Sequence, residues 1–395
     1  MNALSQIYEI SAMNLRNIPQ RLGTSMVIVV GIAGVVTVLV ALLAMGEGFK
    51  HTLASTGKED RAIVLRSGAN DELASGFDRD QALVVGQAPG VRKNAKGQPL
   101  ASPERYVLTN LANKKNNEPS NVPVRGVDPM AMEVRPEFKI TDGRVFRPGA
   151  REVIVGRNAR SQFKDTAIGE RLLVRDGDWE VVGTFATGGD VHESEVWVDR
   201  ATLDSVMRSS FVASVQVQLE NKEAFDGFKK ALANDPRINI DAKRQKTYYA
   251  AQSAATGTFI NVLGTVVASI MALGAIFAAL NTMYSAVSTR SVEIATLRAI
   301  GFGGAPVVAS VMLEALALAL LGGIVGGALA YVLFNGFTVS TLNFQTFSQV
   351  AFAFRVTPDL LVQGIIWALL IGVFGGLLPA WRAARLPVTV ALRAA

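Results

Sequence analysis

The sequence predicts an α-helical membrane protein with four transmembrane helices plus a large α+β extracytoplasmic domain inserted between helices 1 and 2. Three observations predict it. Of 395 residues, 50% are hydrophobic and only 18% are charged, which is too apolar for an ordinary soluble chain. The charges are segregated, because residues 47–255 hold 60 of the 72 Lys, Arg, Asp and Glu side chains. The remaining positions contain four stretches with few or no charges, each near the roughly 20 apolar residues that a helix needs to cross a bilayer.

The same counts exclude several classes of function. The net charge of +6 is no argument for nucleic acid, since the polar block itself carries only +2. With no cysteine there are no disulfides, thiolate catalysis or iron–sulfur clusters. Two histidines, His51 and His192, make a His-based metal centre a poor expectation.

Along the chain, Leu4, Ile7, Ser11, Leu15 and Ile18 recur at three- and four-residue steps ahead of Pro19. Residues 1–21 therefore read as an interfacial helix on the cytoplasmic leaflet. Residues 22–46 carry no charge and form transmembrane helix 1. This run exceeds the apolar core of about 7–15 residues in a signal peptide, so an uncleaved anchor is expected. A second uncharged run, 247–289, would reach about 65 Å as one helix, twice the hydrocarbon thickness. Transmembrane helix 2 is placed at 256–287, with a stalk outside the membrane from about 247. Transmembrane helices 3 and 4 fall at 306–334 and 360–380, separated by an external loop at 335–359.

The short flanks set the orientation, because lysine and arginine are retained in the cytoplasm. Arg16, Arg21, Arg290, Arg298, Arg382, Arg385 and Arg393 face only Glu9 and Glu293 on one side, whereas 335–359 holds Arg355 and Asp359. Both termini and the 288–305 loop are thus expected inside, and the 47–255 domain outside.

Within that domain, Glu152–Gly156 reads as a buried strand and Arg157–Lys164 as a helix. Arg171–Arg175 and Trp179–Phe185 read as a hairpin about Asp176-Gly177-Asp178. Glu195–Val198 and Phe211–Leu219 are further strands, and Lys222–Asn234 is a helix. Gly86–Ser102 and Leu111–Pro123 read as loops. Two lobes are expected, joined near Pro129–Thr141. Asp190, His192, Glu193 and Glu195 could bind a divalent cation, but a solvated loop is the expectation, and no metal site is assigned. Gly57-Lys58 lacks the upstream glycine of a phosphate-binding loop. Trp179 and Trp197 read as strand core. No catalytic constellation is present.

The membrane half carries the most informative segments. Residues 288–302 (STRSVEIATLRAIGF) read as a short cytoplasmic helix on which Arg290, Glu293 and Arg298 stay accessible, ended by Gly301. The 381–395 tail opens with Trp381, Arg382 and Arg385 at the membrane interface. Gly322 with Gly326, Gly323 with Gly327, and Gly372 with Gly376 have the spacing that lets helices approach closely, either within the subunit or in a dimer. Glu314 is an intramembrane acid, hence either functional or paired with an arginine near the interface.

The order of one span, a large outer domain and three spans, with RSVEIATLRAIGF between spans two and three and PAWRAARLPVTVALR at the end, resembles the permease subunits of MacB/FtsX-family (type VII) ABC transporters. Asp142–Phe146, Glu152–Gly156, Ile168–Arg171 and Trp179–Gly183 are similar to that family's periplasmic core segments. The resemblance implies that 47–255 is a MacB-like periplasmic core domain and 256–395 an FtsX-like permease domain, in a bacterial inner membrane. It also implies a non-enzymatic subunit without a fused ATPase domain, because the chain begins at the membrane. ATP and Mg would sit on a partner ABC ATPase, with no cofactor on this chain. Arg290, Glu293, Arg298 and Gly301 would face that ATPase. The other implied partners are a second permease copy or close paralogue, a periplasmic adaptor and membrane lipid, with no nucleic acid. Mechanotransmission for export is the expected function. An FtsX-like relay activating a cell-wall hydrolase and a Lol-type lipoprotein-releasing permease are the alternatives.

Overall fold

A computed structural model describes residues 22–385 except Asp176, together with Gln6 and Glu9. Gln6 and Glu9 are helical, and the rest of the expected interfacial helix and the tail beyond Arg385 lie outside the described residues.

In chain order, α1 (Leu22–Thr56) leads into β1 (Arg61–Arg66), α2 (Arg79–Gln87) and the long strands β2 (Ala101–Ala112) and β3 (Pro119–Val127). Next come α3 (Met130–Val134), β4 (Lys139–Gly143), β5 (Glu152–Gly156), α4 (Arg157–Gln162), β6 (Arg171–Val174) and β7 (Gly177–Ala186). A 3-10 turn (Val191–Ser194) precedes β8 (Val196–Asp199), α5 (Arg200–Val206), β9 (Ser214–Gln218), α6 (Ala224–Ala233) and β10 (Ile240–Arg244). Then follow α7 (Gln245–Thr289), α8 (Ser291–Ala299) and α9 (Gly304–Phe334), the strands β11 (Thr338–Asn343) and β12 (Ser348–Ala353), and α10 (Pro358–Arg385).

Among the described residues, four helices are long and apolar enough to cross a membrane: Ser25–Thr56, Gln245–Thr289, Gly304–Phe334 and Pro358–Arg385. Helices are the shape such segments must take, because lipid offers no partner to an unpaired peptide group. The first helix continues ten residues past the expected end at 46, since nothing in Glu47–Thr56 breaks it. The chain divides into two compact units. One takes the described residues up to Glu47, Phe259–Phe337 and those from Phe354; the other takes Gly48–Thr258 and Thr338–Ala353.

The core of the membrane unit draws on every long helix. Val36, Ala272, Met283, Ala315, Leu318, Ala319, Ala368 and Ile371 are buried together from all four long helices. Bulky residues such as Ile270, Phe277 and Val332 point outward, at 66%, 70% and 77% exposure, where a soluble protein would bury them.

The other unit is built on a ten-stranded sheet with order β10-β1-β9-β2-β3-β8-β5-β7-β4, and β6 is attached to β7. One strand makes it continuous. Ala101–Glu104 of β2 pair with β9, whereas Arg105–Ala112 pair with β3. On the β9 side, Val64, Val215, Val217 and Phe228 form an apolar core with α2 and α6. On the β3 side, Val124, Val155, Trp179, Val198 and Leu203 form another. The two-lobe expectation is thus corrected in place. Ala131, Phe138 and Ile140 pack into the second lobe with Trp197, so 129–141 is interior to it. The join is the partner change at Glu104/Arg105.

Other expectations shift for local reasons. The hairpin closes between Val174 and Gly177, so its first strand ends one residue and its second begins two residues earlier than predicted, with Arg175 taking a positive φ of 54°. The loops predicted at 86–102 and 111–123 are partly strand, because Ala112 pairs with Pro119 at the tip of a long hairpin. Polar residues at such a tip reflect exposure, not the absence of a ladder. The 335–359 segment folds into an antiparallel β11–β12 pair belonging to the second unit. There the Ala351 amide donates to Ser194 Oγ at 3.0 Å, and Phe352 meets Phe49 edge-on at 5.4 Å.

Candidate coupling site

The helix α7 ends at Thr289, and Arg290 leaves helical geometry (φ −103°, ψ 10°), so α8 starts on a new axis at Ser291. The Arg290 carbonyl accepts from the Ile294 amide at 2.9 Å, seeding the first turn. Ile294 and Ala295 are the buried residues of α8. Ile294 joins Met283, Val287, Val307 and Val311 in the apolar core. After Ile300 the chain must reverse into α9, and Gly301 takes a φ of +102°, which a side chain would strain.

Arg290 is the correction. It was expected to stay accessible, but it is buried, and its guanidinium grips Glu314 on α9 with two parallel bonds. Nη1 donates to Oε2 at 2.8 Å and Nη2 to Oε1 at 2.9 Å. The fork geometry of guanidinium and carboxylate makes this the strong form of an ion pair. Glu314 is therefore a paired acid. Beside the pair lies a mostly apolar cavity lined by Met283, Val287, Arg290, Ile294, Leu297 and Glu314. The outward residues of α8 are Glu293, Thr296 and Ala299, while Arg298 is half-buried. Ile300 is 69% exposed. Ile300 is not among the residues the sequence leads one to expect at the surface of this segment. The signal for it is spacing, since 293, 296 and 300 fall on one helical face.

At the end of α10, Trp381 is half exposed, and the Arg385 guanidinium lies 4.8 Å from its ring centre. Arg382 sits 5.5 Å from the Tyr284 ring on α7. These are cation–π contacts that keep both charges over aromatic faces.

The six glycines are taken up within the subunit. A Cβ on Gly322 would lie 2.9 Å from Ile32 Cβ, and one on Gly326 would lie 2.5 Å from the Ala33 carbonyl, both on α1. Gly323 and Gly327 face Ala368 and Leu361 on α10. Gly372 and Gly376 face Ala319 and Ala315 on α9. One glycine-rich helix thus receives two neighbours on two faces.

In the other unit, the acidic group at 190–195 is spoken for by protein partners. Asp190 accepts from the His192 amide, and Glu193 takes Arg157 and the amides of Thr187 and Gly189. Glu195 pairs with Arg125 and accepts from Trp197 Nε1 at 2.7 Å. Among the described residues no group of His, Asp and Glu side chains is arranged to hold a metal ion. The larger finding was not visible in sequence. Arg125 and Arg135 are interleaved with Glu72, Glu104 and Glu195, all buried at the seam where β2 changes partners. Trp179 and Trp197 are fully buried, as their strand pattern predicts.

Comparison with known proteins decides the family. Residues 25–235 match the MacB-like periplasmic core domain, and residues 265–388 match the FtsX-like permease C-terminal domain. The chain belongs to the MacB/FtsX family of ABC transporter permeases. It is 25% identical over 400 residues to the macrolide export ATP-binding/permease protein MacB of Hahella chejuensis, covering 93% of this chain and 57% of that protein. It is 22% identical over 421 residues to the ABC transporter permease YknZ of Bacillus subtilis, covering 99% and 98%. The crystallised periplasmic region of MacB from Actinobacillus actinomycetemcomitans aligns at 11% identity and TM-score 0.37, covering 51% of this chain and 95% of that one. The MacB/FtsX assignment makes Gly48–Thr258 largely core domain and places α8 and its ion pair inside the FtsX-like permease region.

Proposed function

We propose that this chain is the permease subunit of an ATP-driven exporter, which receives motion from an ABC ATPase at α8 and delivers it to the large domain. The working unit is a pair of permease copies joined by a periplasmic adaptor, with both termini cytoplasmic in the inner membrane. Family membership supports the ATP-driven reading, and the MacB relatives, named as macrolide exporters, support export. The observation that supports this reading best is α8 itself. It is a nine-residue helix set between two spans, with only Ile294 and Ala295 buried. A short helix that buries one face on its own subunit and turns Glu293, Thr296 and Ala299 outward is suited to being pushed by a docked partner. Its contact face is Glu293, Thr296, Ala299 and Ile300, with Arg298 at its edge. In addition, α7 is one helix whose residues belong to both compact units.

The experiment is a nanodisc preparation of the full chain with its co-purified ATPase. Single cysteines at exposed large-domain positions are spin-labelled in pairs and measured with and without ATP. A nucleotide-dependent distance change is expected, together with substrate export from inverted vesicles. No change sinks the coupling reading, and a change without export would favour a signalling relay.

A further inference from the structure

Arg290 and Glu314 do more than neutralise each other. Gly304 begins α9, and Glu314 lies ten residues further on, about 15 Å up the helix at its 1.5 Å rise. The short helix α8 therefore meets α9 at two well-separated points. Its C-terminal end runs into α9 through the turn at Gly301 and Gly303, while its N-terminal end is tied by Arg290 to Glu314. Without the ion pair, the junction would be a glycine turn helped by the burial of Ile294 and Ala295, which is a hinge. With it, α8 and the first three turns of α9 form a triangle, and a triangle cannot change its angles without breaking a side.

We propose that Arg290 and Glu314 are positioning residues that make α8 and α9 a single moving bracket, so that a push on α8 rotates α9 instead of folding α8 against it. This rests on the functional reading above and assigns a transmission role, distinct from ATPase docking, to a residue the sequence had placed on the docking face. Burial fits the role. Both side chains are shielded from water, where an ion pair is least weakened by solvent and salt. The fork also fixes orientation as well as distance, which a bracket requires.

The test uses the full chain with its co-purified ATPase in nanodiscs, comparing wild type, Glu314→Gln, Arg290→Gln and the exchange Arg290→Glu with Glu314→Arg. Three quantities are read: ATPase co-purification, maleimide protection of Ile300→Cys by the ATPase, and the ATP-dependent change in the large domain. Each single variant is expected to retain the ATPase and the protection while the large-domain change falls at least tenfold. The exchange is expected to restore it to within about threefold. Loss of the ATPase from the single variants would make the pair part of the docking surface and overturn the proposal. So would an unchanged large-domain response, or single variants that fail to insert and an exchange that inserts without response. A wild-type pair that shows no response to ATP overturns the functional reading itself, an outcome recognisable before any variant is made.

Discussion

Arg125 and Glu195 are joined by two bonds in the interior of the large domain, Nε to Oε2 at 2.8 Å and Nη2 to Oε1 at 2.7 Å. The remaining guanidinium hydrogens go to Glu72 and Glu104, at 2.7–3.0 Å. One arginine thus holds together strands and turns from residue 72 to residue 195, at the point where β2 passes from one lobe to the other.

Arg125→Met should accordingly destabilise the large domain by about 3–5 kcal/mol, the cost of stranding buried carboxylates without their cation. Thermal unfolding of the full chain, followed by the fluorescence of buried Trp179 and Trp197, would measure it. A loss below about 1 kcal/mol would mean that water reaches the cluster.

The same cluster sets an acid limit. Burial pushes the Glu104 carboxyl up, but Arg135 and Arg125 outweigh it and hold the group at about 2, below its ordinary 4.5. A carboxyl depressed on folding stabilises the native state above its unfolded value and loses that contribution as pH falls toward its native one. The melting temperature should therefore drop between pH 4.5 and pH 2, and Glu104→Gln should flatten that limb while lowering stability at pH 7. An unchanged slope in the variant would exclude Glu104 as its source.

Packing of the membrane unit gives a paired prediction. A methyl group on Gly326 would strike the Ala33 carbonyl at 2.5 Å, whereas one on Gly274 meets nothing within 4 Å. Gly326→Ala should cost about 1–3 kcal/mol through overpacking. Gly274→Ala should be neutral or slightly stabilising through helix propensity. Denaturation in mixed detergent micelles would compare them, and equal effects would contradict the α1–α9 contact.

Topology can be read without removing native thiols, because the chain has none. Ala95→Cys in the large domain is expected to label with an impermeant maleimide from outside only, and Ile300→Cys from the cytoplasmic side only. Labelling of Ala95→Cys from the cytoplasm would invert the orientation argued from the arginine flanks.

What was legible follows from how far each signal travels along the chain. The spans were readable because lipid demands a continuous apolar run, which is a local property. The glycine pairs announced a close approach, yet their neighbours proved to be Ile32 and Ala33 as well as Ala315, Ala319 and Ala368, because spacing says nothing of which surface arrives. Glu314 was visible as an anomaly, while its partner lay 24 residues away on the other side of a turn.

By itself, the amino-acid order determined the family, the segregation of charge from apolar length, and the short helix between spans two and three. The tertiary structure decided which charges are usable. Arg290 is withdrawn from the surface into a fork with Glu314, and Arg125, Arg135 and three glutamates are locked at a seam between lobes. The reason is physical. A charge keeps its identity wherever it lies in sequence, but its availability depends on whether folding supplies a partner close enough to offset the loss of water.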